Sequence, residues 1–148
     1  MSLQQIQFEL HAPKNQTNSF GGYKYRSCED ILTALKPLLS EFEYNLIISD
    51  EIIDVGGRVY VKATCRLFAG LAEIATSCGC AREQLYKKGR DESQITGAAT
   101  SYARKYALNG MFLIDDTKDA DTNEQAKDLA KPRVPHDQHL ADSMKSIE

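Results

Sequence analysis

The chain has 148 residues, 42% of them hydrophobic, enough to bury the core of one ordinary domain and too few for a second. No run approaches the roughly 20 apolar residues that span a membrane, and the N-terminus lacks the apolar centre of a secretory signal, so a cytoplasmic protein is expected. The net charge of −3 argues against a nucleic-acid partner only as a total: residues 1–114 carry 13 Lys and Arg against 12 Asp and Glu, and residues 115–148 carry 5 against 9.

Residues 1–22 are mixed polar with Pro13, Asn15 and Gly21-Gly22, and read as a loosely held arm with a short helix or strand. Ser27 then precedes Ile31, Leu32, Leu35, Leu38, Leu39 and Phe42, with Asp30 three residues on, as in a capping box; this predicts an amphipathic helix. Pro37 removes the hydrogen bond to Thr33 and is expected to bend its last turns. Residues 46–68 read as a hairpin about Gly56-Gly57, whose pair of glycines can supply the positive φ of a two-residue turn. With Val55 opposite Arg58, the residues Leu46, Ile48, Ile52, Val59, Val61, Ala63, Cys65 and Leu67 share one face. On the other face Glu51 meets Lys62, Ser49 meets Thr64, and Arg58, Tyr60, Lys62, Thr64 and Arg66 form a cationic row, although an ordinary solvated sheet face would look much the same.

A third strand is expected over residues 71–81 after a turn at Gly70. Residues 82–92 form a charged loop, and a second helix capped by Asp91 or Ser93 spans about residues 94–108, with Gly110 placed to end it. Ile95, Ala99, Tyr102 and Tyr106 recur at helical spacing, which assigns both tyrosines to the core before base stacking. Gly97, Ala98 and Ser101 are small enough to let that helix lie close to a sheet or another chain. Residues 111–114 are a short apolar run, and a polar tail with Pro132 and Pro135 follows. Over residues 82–106 the balance is 6 basic against 3 acidic, a local patch, and patches rather than totals bind phosphates.

The fold expected is α+β: a three-stranded antiparallel sheet, one helix before it and one packed on a face. Cys28, Cys65, Cys78 and Cys80 lie within apolar patterns and read as reduced packing residues. Cys78 and Cys80 lack a second close pair, and His11, His136 and His139 are distant, so no zinc site is expected. No Gly-x-x-x-x-Gly-Lys-Ser/Thr loop is present to cradle a triphosphate, and no cofactor is expected. Asp115, Asp116, Asp119 and Asp121 could hold Mg²⁺ for nuclease chemistry or form a solvated acidic linker; as a calcium loop the stretch fails, with Glu124 at the glycine position and Ala130 at the bidentate glutamate position.

Tyr23-Lys24-Tyr25-Arg26-Ser27 leading into a helix, and Ile95-Thr96-Gly97-Ala98-Ala99-Thr100-Ser101-Tyr102-Ala103-Arg104-Lys105-Tyr106-Ala107-Leu108 followed by Gly110-Met111-Phe112-Leu113-Ile114-Asp115-Asp116 and Lys118-Asp119-Ala120-Asp121, resemble the ERF (essential recombination function) family. The resemblance spans about residues 20–121 and couples two separated motifs in order. It implies a phage or prophage protein that coats single-stranded DNA, pairs complementary strands without nucleotide hydrolysis and assembles into rings or filaments, possessing no catalytic centre. The division expected is an arm over residues 1–22, the annealing domain over 23–121 and a flexible tail over 122–148, which could recruit a nuclease or host single-strand-binding protein.

Annealing requires phosphates to be neutralised while base edges stay free, which lysines, arginines and a few aromatics can do. The candidates are Lys24, Tyr25 and Arg26, Lys62 and Arg66 on the hairpin, Arg82, Lys87, Lys88 and Arg90 in the loop, and Arg104 and Lys105 on the second helix.

Overall fold

A computed structural model describes residues 2–19, 22, 24–85, 89 and 91–114. The expected α+β architecture is present: a three-stranded antiparallel sheet, β3 (Tyr44–Asp54), β4 (Val59–Ala69) and β5 (Ala72–Arg82) in that order, with helices on one face. Before it come α1 (Leu3–Glu9), a small hairpin of β1 (Gln16–Thr17) and β2 (Lys24–Tyr25), and α2 (Cys28–Glu41); α3 (Glu92–Phe112) follows.

Helix α2 starts where its cap dictates. Ser27 Oγ accepts from Asp30 N–H at 3.1 Å, and the Asp30 carboxylate accepts from Ser27 N–H at 2.8 Å, satisfying two donors that the helix leaves free. Those bonds hold the Asp30 pKa below the ordinary carboxylate value. The helix runs on through Pro37 and buries Ile31 and Leu35 completely.

The β3–β4 hairpin has the expected register, with Ile48 opposite Cys65, Glu51 opposite Lys62 and Ile52 opposite Val61. Gly56 and Gly57 have φ of +63° and +75°, so both central residues of the turn are left-handed, as a tight hairpin turn of the matching twist requires. Val61, Ala63, Cys65 and Leu67 point to the helices and are fully buried. Ile52 shares that face but is 59% exposed, at the distal end of edge strand β3. Strand β5 adds to β4 with a bulge at Leu67/Phe68.

Two expectations about the helices are corrected. The N-terminal segment is anchored, because Ile6 of α1 is fully buried and Gln7 Nε2 donates to the Met111 carbonyl at 2.8 Å. Helix α3 does not stop at Gly110: it continues to Phe112 and ends on Leu113 in the left-handed region. The final turn is held by burial of Leu108, Met111 and Phe112 in the core, which outweighs the helix-weakening effect of one glycine, about 1 kcal/mol. Gly110 instead serves a close approach, since a Cβ there would stand 2.9 Å from Ser77 Oγ.

The tightest packing lies between α3 and β5. Ala99, Ala103 and Ala107 form a buried stripe at four-residue spacing, and a Cβ on Gly79 would come within 2.4 Å of the Ala103 carbonyl oxygen and 2.5 Å of the Ala107 amide. The helix backbone therefore rests almost directly on the strand.

Candidate nucleic-acid interface

Strand alternation sends every second side chain of β4 to the face opposite the helices. There Tyr60, Lys62, Thr64 and Arg66 are half-buried side by side, and Arg58 stands exposed beside the hairpin turn. On β5 the same face carries Thr76, Cys78, Cys80 and Arg82, with Arg82 opposite Tyr60 and Thr76 opposite Arg66. Of the proposed cations, Lys62, Arg66 and Arg82 are thus brought together on one surface, and Arg58 joins them. Glu51 accepts from Lys62 Nζ at 2.7 Å and raises the lysine pKa, so Lys62 contributes a partly neutralised charge while Arg58, Arg66 and Arg82 dominate the field. Arg58 and Arg82 also line a shallow cleft at the hairpin end, together with Glu83, Leu85, Glu92 and Ile95.

The remaining candidates lie elsewhere. Lys24 and Tyr25 are exposed on β2, at the entry to α2. Arg26, by contrast, is 8% exposed, so it lacks the surface that a phosphate contact needs. Arg104 and Lys105 sit on α3, on the helical side of the sheet, and both act electrostatically on Cys28, the first residue of α2. Arg104 is already committed: its Nε donates to both oxygens of Asp50 at 3.1 and 3.0 Å, and its Nη2 pairs with the same carboxylate. The signal was present in the chain, since Asp50 falls on the inner face between Ile48 and Ile52, where a carboxylate requires a partner. Lys87, Lys88 and Arg90 lie outside the described residues, as does the cluster from Asp115 to Asp121.

The tyrosines of α3 are corrected outright. Tyr102 and Tyr106 are 53% and 47% exposed rather than core residues. The alanine stripe occupies the inward positions, and Gly79 brings the strand so close that no ring fits between. The ring centroids lie 6.2 Å apart, and Lys105 Nζ stands 5.5 Å from the centre of the Tyr102 ring.

The cysteines divide. Cys28 and Cys65 are buried, and burial pushes the Cys65 thiol up to about 12 and raises that of Cys28. Cys78 and Cys80 are exposed on the cationic face, so they are not the packing residues the apolar pattern suggested. A disulfide reagent at pH 8 is expected to modify these two thiols in the folded protein and all four after denaturation; equally fast native labelling of Cys65 would contradict the packing described.

Among the described residues no helix is long and apolar enough to cross a membrane. No solved structure matches the chain. A curated relative, the "Essential recombination function protein" of Salmonella phage P22, is 59% identical over 122 residues. That alignment takes in 82% of this chain and 58% of the relative, so the chain spans little more than half the relative's length. The ERF superfamily profile matches residues 1–147, arm and tail included, and the chain therefore belongs to the ERF superfamily.

Proposed function

We propose that the chain binds single-stranded DNA across the outer face of its sheet and anneals complementary strands without ATP and without making or breaking covalent bonds. The observation that carries this reading is the alignment of Arg58, Lys62, Arg66 and Arg82 with Tyr60 on a sheet face that no described element covers. Such a face can hold phosphates by charge and leave bases free to search, because cationic contacts release counterions without reading sequence. Lys24 and Tyr25 on β2 and Lys105 on α3 are further candidates for DNA contact, together with Lys87, Lys88 and Arg90, which lie outside the described residues.

One chain offers few phosphate contacts, so a firm grip needs repetition in a homo-oligomer, a ring or filament along one strand. Support for assembly comes from β3 and β5, each with one edge lacking a strand partner among the described residues, and from the exposed Phe8, Leu71, Leu85 and Leu113. The setting is the host cytoplasm, with the acidic residues 115–148 available to a nuclease or host single-strand-binding protein.

The test is to mix the purified chain with end-labelled complementary strands and Mg²⁺ in the absence of ATP. Faster formation of full-length duplex is expected. Shortened strands would assign it instead to a nuclease built on Asp115, Asp116, Asp119 and Asp121, and an unchanged annealing rate would overturn the proposal.

A further inference from the structure

Helix α3 presents two aromatic rings to solvent, whereas Leu108, Met111 and Phe112, further along it, are buried. Single exposed aromatics are common and need no function. Here two stand one helical turn apart, with a lysine ammonium over one of them, and the packing beneath explains why they cannot turn inward: the positions facing the sheet belong to Ala99, Ala103 and Ala107.

Their spacing has a physical counterpart. Successive bases in a nucleic-acid strand are separated by roughly 3.4 Å, so a base held between two rings needs them about 6.8 Å apart. The helix sets residues four apart at about 6 Å along its axis, and the observed centroid separation is 6.2 Å with the ring planes inclined at 37°. A slight opening and levelling of half-exposed rings would admit one base. The ridge lies against the helix-facing side of edge strand β5, where Tyr106 Cβ would stand 2.8 Å from a Cβ on Gly79, and its helix reaches the cationic residues at one end, since Ile95, further up α3, lines the cleft shared with Arg58 and Arg82.

We propose that Tyr102 and Tyr106 form a stacking site for unpaired nucleobases, taking a base between or against their rings with no preference for sequence, while Lys105 supplies a cation for the adjoining phosphate. This rests on the single-strand-binding reading and adds to it a contact that acts through bases instead of charge. An aromatic ridge of this kind would hold a strand at intervals, where salt alone cannot release it.

The chain has seven tyrosines and no tryptophan, so its intrinsic emission comes from tyrosine, and the share due to Tyr102 and Tyr106 is the part lost in their variants. The full chain would be titrated with an oligothymidylate and with the same length of abasic strand at several salt concentrations, following tyrosine emission and the anisotropy of a dye on the DNA. Binding of the base-bearing strand is expected to quench the emission. The variant Tyr102→Ala with Tyr106→Ala should lose on the order of tenfold in affinity per ring, with the salt slope unchanged. Tyr102→Phe with Tyr106→Phe, which keeps both rings, should retain affinity within about twofold and lose part of the quench. On the abasic strand all three proteins should bind alike.

If the unaltered chain binds and the alanine variant binds equally well, the stacking site is refuted while single-strand binding stands. A changed assembly mass in the alanine variant, with affinity per subunit unchanged, would make the ridge a contact between copies and refute the site as well. Failure of the unaltered chain to bind any single strand would remove the functional reading itself.

Discussion

Replacing Gly79 by alanine is expected to destabilise the domain by about 3 kcal/mol, lowering its melting temperature by roughly 10 °C. The added methyl would meet the Ala103 carbonyl oxygen at 2.4 Å and the Ala107 amide at 2.5 Å, both backbone atoms of α3. Neither can rotate aside, so relief requires the whole helix to lift from β5, and lifting it opens gaps beneath Ala99, Ala103 and Ala107. Gly97→Ala provides the control on the same helix. Nothing lies within 4 Å of a Cβ there and the residue is exposed, so alanine should stabilise by up to about 1 kcal/mol through helix propensity alone. Thermal unfolding of the two variants checks the claim, and a Gly79→Ala protein as stable as the original would mean that α3 does not rest on β5 as described.

The same close approach explains which parts of the fold the sequence disclosed. The hairpin register was legible because paired glycines fixed the turn and because period-two alternation put Glu51 across from Lys62 at the same time as it gathered Val61, Ala63, Cys65 and Leu67 on one face. The start of α2 was legible because its cap is local chemistry, Ser27 and Asp30 bonding each other's amides. The orientation of α3 was not. Two stripes compete on that helix, Ile95-Ala99-Tyr102-Tyr106 and Ala99-Ala103-Ala107, and hydrophobic size favours the first. What decides for the second is the partner surface: the inner positions of β5 are Ala75, Ser77, Gly79 and Ala81, small residues that seat a small stripe at backbone distance. A rule that matches the bulk of a helix stripe to that of the strand facing it would have placed the tyrosines outside. Gly110 misled for a related reason, since it reads as a stop signal and works as a spacer against Ser77. The division of the cations was hidden as well, because alternation gives the face of a residue while the pairing of Arg104 with Asp50 depends on how α3 lies over β4 and β5.

That division makes the charge variants unequal. Arg58, Arg66 and Arg82 replaced together by glutamine are expected to lower affinity for single strands of any sequence on the order of 100-fold at 0.1 M salt, and to flatten the plot of log affinity against log salt by roughly 2, taking about 0.7 for each phosphate that is no longer neutralised. Their side chains stand on the open sheet face, so glutamine keeps most of the packing and removes the charge. Arg104→Ala should behave in the opposite way. Its guanidinium already answers the Asp50 carboxylate, whose side chain is 21% exposed, so removal leaves a half-buried acid without its partner and costs about 1 kcal/mol of stability after allowance for solvent screening, with little change in salt slope. Fluorescence anisotropy across a salt series, paired with thermal melts, separates the two outcomes. A flattened slope for Arg104→Ala beside an unchanged slope for the triple variant would move the phosphate track from the sheet face to α3, where Lys105 would become its first candidate.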